Sequence, residues 1–176
     1  MYLLQDRLGE ARMNAMLAQL LNKYRFKSQP YARSLDLVNG LKSIARNDAE
    51  RALISDLFEK ITIYDLKAKT ATVKKLPDGR FETVVTVAGD KFYADGKGKE
   101  TKATLDDVIE VGLFAARPGI GAFNSKDVDF IERRPVKSGE QQIRVISRRK
   151  PAFAGVDPYN KYIDRNSEDN VVAVTG

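Results

Sequence analysis

The stretch ITIYDLKAKTATVKKLPDGRFETVVTVAG, residues 61–89, decides the fold. Its period is two. ITIYDLK and TATVKKL read as two strands or as one long bent strand. Pro77-Asp78-Gly79 has strong turn chemistry, since Pro presets its own φ, Asp accepts nearby amides and Gly tolerates positive φ. Beyond the turn, Phe81, Thr83, Val85 and Val87 alternate with Glu82, Val84 and Thr86, as on a half-buried strand. Gly89-Asp90 is read as an interruption before KFYAD, and DGKGK as another turn.

Downstream, VIEVGLFA (108–115), DVDFIER (127–133) and QQIRVIS (141–147) read as strands, and VVAV as a last one. Turn signals recur about every ten residues, the spacing of an all-β sandwich. No long helix separates the strands, which argues against a parallel α/β sheet.

Upstream of residue 60 the period is helical. Leu8, Ala11, Ala15, Leu17, Leu20, Leu21 and Tyr24 follow 3.6-residue spacing and predict one helix without an obvious cap. After the break at FKSQPYAR, Ser34 is expected to cap a helix carrying Leu35, Val38, Leu41, Ile44 and Ala45, weakened slightly by Gly40. Asn47 and Glu50 have capping-box spacing, with the Glu50 carboxylate reaching back. The run after them places Ala49, Leu53, Ile54, Leu57, Phe58 and Ile61 on one stripe. The expected fold class is therefore α+β, with a helical segment over 1–60 and a β-sandwich over 61–176. Three short helices with wide apolar stripes and an uncapped start fit a segment of a longer chain.

The 176 residues hold no Cys, no His and no Trp. That excludes disulfides, thiolate nucleophiles, Ser-His-Asp triads and every His- or Cys-ligated zinc site. The reading is that this chain is not an enzyme. No run of about 20 apolar residues is present to span a bilayer, and the start lacks the pattern of a signal peptide. Lys and Arg number 30 against 24 Asp and Glu, a net charge of +6. The densest basic stretch, IERRPVKSGEQQIRVISRRK (131–150), lacks interleaved aromatics and reads as two strands with basic groups outward, so no nucleic-acid partner is expected.

Other constellations are weak. ARPGIGAF (116–123) holds Gly119 and Gly121 but no GK[ST] follows, nor the third glycine and helix of a dinucleotide site. Ser125-Lys126 suggests a dyad, but adjacent residues of a strand face opposite ways. In VDPYNKYIDRNSEDN (156–170), Asp164, Asn166 and Glu168 alternate like calcium ligands. Asp169, however, stands where an EF-hand loop needs Gly, and no helices flank the run. The favoured reading is a turn begun by Asp157-Pro158, with Asp and Asn side chains bonding backbone amides and the tyrosines and Ile163 pinning the segment to the strands. An irregular calcium site is the alternative.

The runs YRFKSQPYARSLDLVNGL (24–41), LISDLFEKITIYDLKAKTATVKKLPDGRFETVVTVAGDKFYADGKGKET (53–101) and AGVDPYNKYIDRNSEDNV (154–171) carry a resemblance. Together the chain resembles, from about Leu20 to Val174, the C-terminal region of bacterial gluzincin-type zinc aminopeptidases, of the kind fused to a multi-pass ABC-transporter-permease-like membrane region. DLFEKIT and DPYNKYIDR are its most specific motifs, and neither carries known catalysis. In such proteins zinc sits in an upstream HExxH helix. With no His here, no catalytic, cofactor-binding or metal residue carries over, and zinc is expected only in the missing peptidase domain.

The resemblance implies that residues 1–60 end a peptidase helical layer and residues 61–176 form an immunoglobulin-like sandwich. It implies a non-catalytic, structural or partner-binding module, soluble as a fragment, whose parent sits at the bacterial inner membrane. The expected partner is the remainder of the parent, with exposed apolar helix surface where it packs or where a homodimer forms, and with membrane contact only through the parent. The alternative is a stand-alone β-sandwich binding module for a peptide or acidic partner, with or without calcium.

Overall fold

A computed structural model describes all 176 residues, Met1–Gly176. It divides into two compact units, Met1–Thr62 and Ile63–Gly176. Four helices precede eight strands.

The first unit holds α1 (Tyr2–Leu8), α2 (Glu10–Tyr24), α3 (Ser34–Ser43) and α4 (Asp48–Phe58). The single N-terminal helix expected from periodicity is two. Gly9 sits at φ 90°, a conformation open to Gly and costly for other residues, and the chain turns there. That turn re-aims the apolar face. Leu3, Leu4, Leu8, Met13 and Met16 are buried, whereas Leu21 is exposed. Val38 and Leu41 from α3 and Leu53 and Ile54 from α4 complete the core. Each such side chain contributes about 2 kcal/mol through removal from water.

Gly40 has a packing role. A Cβ there would stand 2.8 Å from Met16 Sδ, so the Met16 side chain packs over α3 in space that a larger residue would take. Arg33, rather than Ser34, occupies the N-cap of α3, and its amide donates to Asp36 Oδ2 at 2.9 Å. Asn47 caps α4 as expected, accepting from the Glu50 amide at 2.8 Å. The Glu50 carboxylate does not reach back to Asn47. It accepts from the Arg46 amide at 2.8 Å and from both ends of the Arg12 guanidinium at 3.1 Å.

The second unit is a curled mixed sheet. Its strands are β1 (Ile61–Lys75), β2 (Phe81–Ala94), β3 (Glu100–Ala103), β4 (Asp106–Phe114), β5 (Val128–Lys137), β6 (Gly139–Ser147), β7 (Phe153–Val156) and β8 (Val171–Thr175). The hydrogen-bonded order is β3-β2-β1-β8-β7-β4-β5, with β6 also on β2. The β2–β3, β2–β6, β4–β5, β4–β7 and β7–β8 pairs are antiparallel, whereas β1 and β8 run parallel with Ala71 opposite Val174.

β1 is one strand of 15 residues whose inward face slips by one position. Thr62, Tyr64, Leu66 and Ala68 are buried, Lys69 and Thr70 are both exposed, and burial resumes at Ala71 and Val73. The Pro77-Asp78-Gly79 turn joins it to β2, with Gly79 at φ 84° and the Leu76 amide donating to Arg80 O at 2.7 Å. Gly89-Asp90 does not interrupt β2. Strand pairing with β6 runs through Gly89, opposite Gly139. A Cβ at Gly89 would lie 2.7 Å from Leu105 Cδ2 and 3.2 Å from Val136 Cγ1, so the glycine serves close approach inside the core. Leu66, Leu105 and Val136 line it, all buried.

Candidate functional site

The strongest concentration of polar groups inside the sheet unit is the DPYNKYIDRNSEDN run after β7. Asp157 opens it. The residue is fully buried and left-handed at φ 43°, which Asp and Asn tolerate better than most. Its amide donates to Glu110 O at 2.8 Å, and its carbonyl accepts from the Asn160 amide at 2.9 Å. Asn160 is also left-handed, at φ 52°. The Asp157 carboxylate then receives two backbone donors, Lys161 N on Oδ1 and Tyr162 N on Oδ2, both at 3.0 Å.

The chain next runs beside the start of β1. Tyr64 N donates to Ile163 O at 2.9 Å and Tyr64 O accepts from Arg165 N at 2.8 Å. The Tyr162 ring meets the Tyr64 ring edge-on, with centroids 4.7 Å apart. Asp164 Oδ1 accepts from Leu66 N at 3.2 Å and Asn166 N at 3.4 Å. Asn166 then caps the turn Ser167–Asp169, accepting from Glu168 N at 3.3 Å. The run is thus a clasp between β7 and β1, and β8 starts directly after it.

Burial pushes the Asp157 carboxyl up to about 6, against the lowering effect of its two amide donors. Asp164 and Glu110 add to the rise through their own negative charge. Burial also raises Asp164, opposed by the Leu66 amide. Glu110 is bound by Lys161 Nζ at 2.7 Å, a charge-assisted contact largely shielded from water. At the rim, Lys67 pairs with Asp169 at 3.1 Å, and Arg165 pairs with Glu100 at 2.5 Å while lying over the Phe92 ring.

This arrangement is chemically inward-looking. A general base must reach a proton on a bound substrate, and both Asp157 oxygens are aimed at backbone donors instead. Asp164 Oδ1 and Asn166 Oδ1, which would bind calcium, also accept amides. No group of three or more Asp or Glu side chains is arranged to hold a metal ion.

The remaining candidates are scattered. Gly119 and Gly121, at φ 75° and 64°, lie in the loop after β4, and no α-helix follows them. Ser125 and Lys126 lie in a one-turn 3-10 helix rather than on a strand, capped by Asn124, and both are exposed. The basic stretch 131–150 forms β5, a turn at Gly139, and β6, with Arg133, Arg144 and Arg148 exposed. Sequence reasoning placed the Asp157-Pro158 turn but missed the depth of Asp157. It also missed Arg149, which pairs at 2.5 Å with the shielded side chain of Asp129. The two lie on different segments, and spacing along the chain carries no signal for such a pair.

No protein-family model, no curated protein and no solved structure matches the chain.

Proposed function

We propose that this chain is a non-catalytic C-terminal module of a membrane-associated zinc-dependent aminopeptidase of the gluzincin type, with a structural or partner-binding role. The observation that carries the reading is the clasp. DPYNKYIDR is the most specific part of the resemblance, and both oxygens of its Asp157 and Oδ1 of its Asp164 accept backbone amides. A motif of that kind preserves a shape rather than a reaction. Zinc would belong to the HExxH segment of the parent. No residue here fits it, because the chain lacks His and Cys and no group of three or more Asp or Glu side chains is arranged to hold a metal ion.

The strands would then be an immunoglobulin-like sandwich. Its layers would be β3, β2, β1 and β6 on one side and β8, β7, β4 and β5 on the other. The approach of Gly89 on β2 to Val136 on β5 supports that reading. The test is an aminopeptidase assay with zinc analysis on the purified chain. No turnover and no stoichiometric zinc are expected, and activity that persists through purification overturns the reading. An HExxH coding segment upstream in the same reading frame would support it directly.

A second reading, a stand-alone module for an acidic peptide, draws on Arg144 and Arg148, which stand exposed at and beside β6. Salt-sensitive capture of an acidic peptide, lost in Arg144→Gln/Arg148→Gln, would favour it.

A further inference from the structure

We propose that the tip between α2 and α3 docks on an anionic lipid surface. The inference stands on the helical unit alone and goes beyond the reading above, in which membrane contact belongs to the parent. Phe26 is 97% exposed, Leu21 70%, Tyr31 69% and Leu35 58%. These four lie within fifteen residues, at the last turn of α2, the loop and the first turn of α3. Phe26 sits at φ 59°, a conformation that a bulky residue rarely adopts. Its ring faces water, where burial would have been the ordinary fate.

The charge around these rings is predominantly positive. Between Glu10 and Asp36 the chain has no acidic residue, while Lys23, Arg25, Lys27 and Arg33 flank the exposed apolar groups. Lys23 lies over the Tyr24 ring and Arg25 over the Phe26 ring, and neither they nor Lys27 is within ion-pair distance of a carboxylate. Asp36, which ends this stretch, accepts from the Arg33 amide and pairs with the Arg33 guanidinium at 3.8 Å. Aromatic rings with interleaved long cations are the composition of an interfacial anchor. The rings enter the headgroup–acyl boundary, and the cations stay with anionic headgroups.

A protein partner fits less well. A docking helix face presents an apolar stripe along its length, whereas Met13, Met16, Val38 and Leu41 are buried within the unit and exposure concentrates at the tip. The groove between α2 and α3 is lined by Gln19, Lys23, Asp36, Asn39 and Ser43 as well as Met16 and Leu20, too polar to receive a ridge of apolar side chains.

The test is co-sedimentation of the full chain with vesicles of phosphatidylcholine and phosphatidylserine, against phosphatidylcholine alone. Binding is expected on the anionic vesicles only. Phe26→Ser should weaken it about tenfold, the loss of one inserted ring. Each of Lys23→Gln, Arg25→Gln and Lys27→Gln should weaken it about fivefold. All four positions are on the surface, and unchanged circular dichroism would establish that each variant folds. Arg144→Gln/Arg148→Gln, on the strands, should leave binding intact. The proposal fails if the folded chain ignores anionic vesicles. It also fails if neutral vesicles bind equally, if the strand variant rather than the tip variants loses binding, or if the tip captures poly-glutamate but not lipid.

Discussion

A carboxylate that is fully buried yet accepts two backbone N–H bonds is under opposed pressures, and Asp157 shows both. Burial favours the neutral acid and raises the group from 3.8 to about 6; the amides favour the anion. The folded carboxyl therefore holds its proton more tightly than the unfolded one. Between about pH 4 and 6 the folded state binds more protons, so this group's contribution to stability falls as pH rises through that window. The charges facing it are Glu110, Asp164 and Lys161, and Asp164, also raised by burial, acts in the same direction. Asp157→Ala should cost about 2–4 kcal/mol, because it leaves two buried amides without an acceptor. Asp157→Asn keeps one acceptor oxygen and cannot titrate. Its stability relative to the native chain should therefore fall by about 1 kcal/mol between about pH 7 and pH 5, as the native carboxyl regains its proton. Urea unfolding at both pH values measures this. A constant difference between the two proteins would mean that Asp157 titrates normally.

At the scale of elements, the legible parts were those whose cause is local. The Pro77-Asp78-Gly79 turn and the Asn47 cap need only neighbours within four residues, and both are present. The failures share the opposite property. Glu50 was expected to close its own capping box, but Arg12 lies 38 residues away in sequence and holds the carboxylate bidentately. Gly89 was read as a break, since glycine commonly interrupts a strand. Its actual role depends on Leu105 and Val136, which no local window contains. The Gly9 break was missed because an isolated glycine inside a helical pattern is usually tolerated. Gly89→Ala tests the close-approach account. The added methyl would sit 2.7 Å from Leu105 Cδ2, so overpacking should cost about 1–3 kcal/mol. A merely interrupting glycine would predict the reverse, a small gain from lower unfolded-state entropy. Combining the variant with Leu105→Ala should recover part of the loss if the contact is the cause.

At the scale of the whole chain, what sequence periodicity could not supply is how the sheet closes. Strand content was readable because alternation is written residue by residue. The parallel pairing of β1 with β8 was not, since it joins Ala71 to Val174 and Thr72 to Thr175 across most of the strand unit. Two ladder pairs are a short contact, and a parallel pairing is slightly weaker per residue than an antiparallel one. The clasp supplies the rest of that seam through Tyr64, Ile163, Arg165, Leu66 and Asp164. The Tyr162 ring against Tyr64 therefore holds the seam closed from inside. Tyr162→Ala should remove a buried aromatic pair and cost about 3–4 kcal/mol, the range for deleting a large ring from a core. Hydrogen exchange should show where the damage lies. The Tyr64, Leu66 and Arg165 amides should lose protection first, while the β2–β6 amides from Thr83 to Val87 keep theirs, because local openings follow the weakest contiguous contacts. Uniform loss across both ladders would mean that the clasp and the strands open as one cooperative unit, and that the seam is no weaker than the sheet it closes.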